Sequence, residues 1–127
     1  MNPSNETSSS KNGIYDRRTL PAGSTLLHQS RENPPVVVAK AFVPIGSAHD
    51  PEGAEGLAHL TAKSLVQHTE ERTMTEMNRH CSRYGFRLSA SIRPDYTVLS
   101  FRSLQEHADR LLDLLREVLT KPAFNPE

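Results

Sequence analysis

The sequence predicts an α+β fold, a two-layer sandwich in which a mostly antiparallel sheet is covered by helices. Three observations carry this expectation. Val36–Ile45 (VVVAKAFVPI) is β-branched and nearly all apolar; Phe86–Ile92 and Tyr96–Arg102 are strand-like runs joined through the turn residues Arg93-Pro94-Asp95; and helical periodicity lies on both sides of that pair. Helices placed between hairpin-forming strands favour an α+β arrangement over the strict alternation of a parallel sheet. A chain of 127 residues is enough for one compact domain and not comfortably for two.

In chain order, residues 1–19 are polar, Ser/Asn-rich and without hydrophobic period, which predicts a disordered tail with the domain occupying 20–127. Ser24–Gln29 reads as a short strand after the turn residues Pro21, Ala22 and Gly23, and Arg31–Pro35 as a loop. Val36–Ile45 is the strongest strand, and only Lys40 interrupts its apolar run, so burial on both faces over part of its length is expected. Gly56–His68 follows helical spacing, with Leu57, Leu60, Thr61, Ser64, Leu65 and His68 on the core side. Thr75–Tyr84 is a second helix, with Met77, Cys81 and Tyr84 on one stripe and Gly85 as its stop. The last helix, Gln105–Leu119, presents Ala108, Leu111, Leu112, Leu115, Val118 and Leu119, and Lys121-Pro122 ends it. The chain stops directly after it, which predicts an incomplete domain.

Fifteen Lys and Arg balance fifteen Asp and Glu, so neither nucleic acid nor an anionic membrane is expected to be recruited by bulk charge. A single cysteine, Cys81, excludes a disulfide framework and any Cys-rich zinc module. There is no long apolar stretch to span a membrane and no basic-then-apolar leader, so a cytoplasmic protein is the expectation.

The chemistry concentrates on the first helix. A zinc peptidase helix sets two imidazoles one turn apart to hold the metal and a carboxylate to deprotonate its water, in the inverted form as H-x-x-E-H. Here the corresponding positions carry His59, Ala62 and Lys63. Around them stand Gly46-Ser47, Asp50-Pro51 and Gly56-Leu57-Ala58-His59-Leu60. Further on come Gly85, Ser89-Ala90, Asp95-Tyr96-Thr97 and the Leu112–Leu119 helix with Pro122 and Phe124. In that order and spacing, the stretch from Leu20 to Glu127 resembles the N-terminal part of the insulinase/pitrilysin-type metallopeptidase family, which includes the mitochondrial processing peptidases.

The resemblance implies a metallopeptidase-like fold of the processing-peptidase type, of which this chain holds the first part. It implies zinc as the family's cofactor, with a third ligand, a glutamate, lying beyond Glu127. The asparagine of the family's Asn-Ala strand motif is Ser89 here. With Ala62 and Lys63 in place of glutamate and histidine, the helix looks like that of non-catalytic partner subunits, which help form a substrate chamber. The expectation is therefore no catalytic residue, no metal ligand and no bound cofactor. The expected partner is an active insulinase-type peptidase subunit in a heterodimer, with unfolded peptide as a possible ligand. The alternatives are an active zinc metalloendopeptidase completed by another chain or by altered ligands, and a truncated product with no role of its own. In the family the strand corresponding to Phe86–Ile92 receives an extended peptide by strand addition, which points to Leu88, Ser89, Ala90 and Ser91. The bland reading is one strand of a covered hairpin.

Other chemistry-bearing residues have structural readings. His80 and Cys81 are adjacent on a helix and point about 100° apart, so Cys81 reads as a core thiol rather than a nucleophile. Arg72, Arg79, Arg83 and Arg87 with Glu70, Glu71 and Glu76 among them form a solvated mixed-charge face, a docking site for an acidic surface being the alternative. His28, His49, His68 and His107 lack ligand spacing.

Overall fold

Two runs in the second half of the sequence form a hairpin, β5 (Arg87–Ile92) and β6 (Thr97–Leu104), closed by a bond from Arg93 N–H to the Tyr96 carbonyl (2.8 Å). This computed structural model describes residues 10–12 and 15–124. The hairpin is joined by β4 (Val36–Val43) into an antiparallel sheet of order β4-β6-β5, with Val43 and Ile92 both opposite Thr97. β6 is central and shows a strand's period of two: Thr97, Leu99, Phe101 and Ser103 are buried, and the residues between them are not.

Helices α1 (Leu57–Leu65), α2 (Met74–Tyr84) and α3 (Ala108–Thr120) complete this part, with α1 against β5 and α3 against β6. Met77, Phe86, Leu99, Phe101, Leu111, Leu114 and Val118 form the core between the sheet and the helices. The α+β class with a helix-covered antiparallel sheet is therefore the architecture found. Among the described residues no helix is long and apolar enough to cross a membrane.

The chain divides between Pro34 and Pro35 into two units. The first holds its own antiparallel sheet, β1 (Ser10–Asn12), β2 (Tyr15–Thr19) and β3 (Thr25–His28). The strands β1 and β2 correct the expectation of a disordered tail for those residues. Strand pairing needs only backbone N–H and C=O groups, so a polar run can enter a sheet without an apolar signal. The β2–β3 register is fixed by a turn in which Leu20 N–H donates to the Ser24 carbonyl (2.8 Å) and Gly23 adopts φ +82°. Residues 1–9 of the expected tail lie outside the described residues.

Three further expectations are corrected. β4 is an edge strand whose outer face, including Val38 and Phe42, is exposed (Phe42 67%), so burial is one-sided. On α1 the residue most deeply buried is Ala62, while Leu57 and Leu60 are exposed, and on α3 Leu111, Leu114 and Val118 face the core while Leu112 and Leu119 do not. Finally α1 ends at Leu65, short of His68.

The loop after α1 is anchored by long-range contacts. Thr69 Oγ1 donates to Glu117 Oε1 (2.5 Å) and itself accepts from Arg72 N–H (3.1 Å), while the Arg72 guanidinium pairs with the other oxygen of Glu117. Glu70 N–H donates to the Lys121 carbonyl (3.0 Å), and the Lys121 ammonium pairs with Glu71. The loop is thus tied to the end of α3 through a buried carboxylate, whose charge needs those partners once water is excluded. At the other end of the loop, α2 starts with a capping box: Thr73 Oγ1 accepts from Glu76 N–H (3.3 Å) and Thr73 N–H donates to Glu76 Oε2 (2.9 Å). Gly85 at φ +66° stops it, as its position in the sequence predicts.

Candidate functional site

The helix bearing the zinc-motif positions is held by its preceding loop. Ser47 N–H donates to the Arg93 carbonyl (3.0 Å) and Ala48 N–H to that of Pro94 (2.9 Å), docking the loop on the β5–β6 turn. The approach leaves no room at Gly46, where a Cβ would lie 2.0 Å from the Arg93 oxygen. Asp50 then caps α1 from six residues upstream: Oδ2 accepts from Gly56 N–H (2.7 Å) and Oδ1 from Ala58 N–H (2.8 Å). A carboxylate there satisfies two orphan donors and meets the positive end of the helix dipole. The sequence pointed to Asp50 only as part of a resemblance; an Asp-Pro followed by a glycine just before an apolar helix was the signal for a cap.

So fixed, α1 carries His59 and Lys63 exposed, one turn apart, with Ala62 buried (3% exposed) beside them. Ala62 lines an apolar groove of about 240 Å³ together with Val43, Ile45, Leu57, Thr61 and Leu99. The sequence reading did not anticipate this groove, because its walls come from β4, β6 and α1, far apart in the chain. These three motif positions are brought together as the helical spacing requires. Their donor set is one imidazole, one methyl and one ammonium. A lone imidazole holds zinc weakly, an ammonium one turn away repels a dication, and no group at position 62 can take a proton from water. These residues do not fit the zinc centre that the family implies.

Leu88, Ser89, Ala90 and Ser91 lie on β5, which among the described residues is hydrogen-bonded to β6 only and is the end strand of its sheet. Ser89 and Ser91 point outward and are exposed, while Leu88 and Ala90 are half-buried on the core side. Packing of α1 against β5 makes the motif helix and this edge neighbours.

The remaining histidines do not converge. His49 Nδ1 accepts from Gly46 N–H (3.2 Å), His107 meets the Tyr84 ring edge-on (5.3 Å between centroids), and His28 belongs to β3. Among the described residues no three His, Cys, Asp or Glu side chains could hold a metal ion. Cys81 is half-buried against the core, and burial pushes its thiol pKa up, which suppresses the nucleophilic thiolate. His80 packs on Tyr84 and Phe86 instead of facing Cys81. Its pKa is lowered by burial first, then by Arg72, Arg110 and Arg83.

Residues 25–127 match the family described as Insulinase (Peptidase family M16). The chain is similar to cytochrome b-c1 complex subunit 2, mitochondrial, of Schizosaccharomyces pombe, at 32% identity over 81 residues, covering 64% of this chain and 18% of that protein. It is similar to the beta subunit of the mitochondrial-processing peptidase of Saccharomyces cerevisiae, at 28% over 106 residues, covering 84% and 23%. A third relative is the uncharacterized zinc protease YmxG of Bacillus subtilis, at 26% over 97 residues, covering 74% and 24%. The chain thus spans less than a quarter of the length of these relatives. The crystal structure of pitrilysin superposes with a TM-score of 0.78 at 22% identity, over 98% of this chain and 14% of that one, which shows a shared fold.

Proposed function

The chain belongs to the insulinase family, peptidase family M16, and on that premise we propose that it is a peptidase-like part that does not itself cut peptide bonds. It instead binds extended peptide and associates with an active zinc peptidase of the same family. The observation that carries this reading is the donor set on α1, where Ala62 and Lys63 stand at the positions of the general base and the second imidazole. Metal-assisted hydrolysis needs a ligand set and a proton acceptor together, and this helix supplies neither.

Two of the relatives are subunits, one of the cytochrome b-c1 complex and one of the mitochondrial-processing peptidase, which supports a paired role. The free edge of β5 supports peptide binding. Strand addition uses main-chain groups, and the small Ser89 and Ser91 let another backbone approach. It requires no catalytic residue, so it is compatible with a helix that has no zinc ligands.

The test is incubation of the purified chain with an unfolded peptide, with and without a chelator. No cleavage is expected in either condition. The peptide is expected to shift the backbone amide signals of Leu88–Ser91, and Ala90→Pro, which removes a donor that points away from β6, is expected to abolish that shift. Chelator-sensitive cleavage lost in His59→Ala contradicts the proposal and establishes an active metalloendopeptidase with altered ligands.

A further inference from the structure

Along one side of α2, Arg72, Glu76, Arg79, His80, Arg83 and Tyr84 line a groove of about 150 Å³. Within α2 the spacing of Glu76, Arg79, His80, Arg83 and Tyr84 puts them on a single helical stripe, and Arg72 lies just before its cap. From α3, Arg110 joins them: its guanidinium stands 4.8 Å from the centre of the Tyr84 ring and donates to the Tyr84 hydroxyl (3.0 Å). Arg83 stands 5.6 Å from the same ring centre. One aromatic ring thus steadies two guanidiniums, which lowers the rotamer entropy each loses on binding a partner.

The charges here do not cancel. Glu117 is committed to Thr69 and Arg72. Both bonds of Glu76 Oε2 go to Thr73, so that carboxylate serves the start of α2. Among the described residues Arg79, Arg83 and Arg110 form no ion pair, although the chain as a whole is neutral. Guanidiniums bind carboxylates bidentately, and Arg79 and Arg83, one turn apart, are about 6 Å from each other at their Cβ atoms. That distance matches two carboxylates one turn apart on a helix or two residues apart on a strand.

We propose that this groove docks an acidic segment of a partner protein, whose carboxylates pair with Arg79, Arg83 and Arg110. Glu76 in the groove and the small number of free cations favour spaced carboxylates over the continuous charge of a nucleic acid. The inference is independent of the peptide edge on β5 and of the zinc question.

The test measures fluorescence anisotropy of a labelled peptide alternating glutamate and alanine against the full chain at low and at physiological salt. A peptide of lysine and alanine and a single-stranded oligonucleotide of equal charge serve as probes of selectivity. Binding of the acidic peptide, weakened by salt and lost by about tenfold or more in R79E/R83E, is the expected result. The control K40E/R102E makes the same charge change on the outer face of the sheet and is expected to bind like the unaltered chain. Equal loss in both variants, no binding at low salt, or an oligonucleotide that binds as tightly as the peptide overturns the proposal.

Discussion

At the scale of single residues, two glycines separate steric crowding from backbone conformation. Gly46 has ordinary extended φ but no space, whereas Gly53 has open space around it and φ +81°. Gly46→Ala is expected to cost about 3 kcal/mol or more, because backbone carbonyls must move, and Gly53→Ala about 1 kcal/mol from the left-handed conformation alone. Urea midpoints of the two variants check the order; equal costs contradict the close approach at Gly46. His80 gives a pH signature. Burial, then the Arg72, Arg110 and Arg83 charges, hold its folded pKa below its ordinary value of 6.5. The unfolded chain therefore binds the proton more readily, and His80 contributes a loss of stability as pH falls below 6.5 toward the folded pKa. In His80→Gln that contribution is absent, so the stability difference between the unaltered chain and the variant is expected to be largest near neutral pH and to shrink on acidification. Denaturant titrations across that range measure it, and a constant difference contradicts the assignment.

At the scale of elements, the link between the α1–α2 loop and α3 is the feature with the largest electrostatic consequence. Glu117→Ala removes the acceptor of Thr69 and the partner of Arg72 from a buried position and is expected to destabilise by about 2–4 kcal/mol. Thr69→Val, which keeps the ion pair, is expected to cost about 1–2 kcal/mol. Thermal unfolding of both variants tests this, a smaller loss in Glu117→Ala than in Thr69→Val being the contrary result. This link also shows where the sequence was readable and where it was not. Apolar periodicity located α1, α2, α3 and β3 to β6, and Thr73 with Gly85 bounded α2. Periodicity did not tell which of two neighbouring apolar stripes on α3 faces the sheet, because Leu111, Leu112, Leu115, Val118 and Leu119 satisfy both. Glu117 decides it, drawn inward by Thr69 and Arg72, partners 48 and 45 residues away that no local pattern reveals. β4 misled for a related reason: an apolar run does not state whether a second layer covers the outer face of the sheet. His59, Ala62 and Lys63 were legible as a site because helical spacing alone puts them together, whereas the groove beside Ala62 needed the long-range pairing of β4 with β6.

At the scale of the whole molecule, the two units differ in what protects them. β6 places Leu99 and Phe101 in the core, while every residue of β3 is exposed. Amide exchange in β2 and β3 is expected to be about 100-fold or more faster than in β6, since opening them exposes little apolar surface. Mass-spectrometric exchange reads this directly, and equal protection contradicts the expectation. The helix-covered sheet carries the family's fold, and the central claim proposed for it is that His59, Ala62 and Lys63 on α1 do not hold zinc. The most direct measurement of that central claim is the zinc content of the purified chain after equilibration with zinc and desalting, by native mass spectrometry. The account predicts no stoichiometric zinc in the unaltered chain and a gain of affinity in A62E/K63H. One zinc ion per chain in the unaltered protein, lost in His59→Ala, contradicts it.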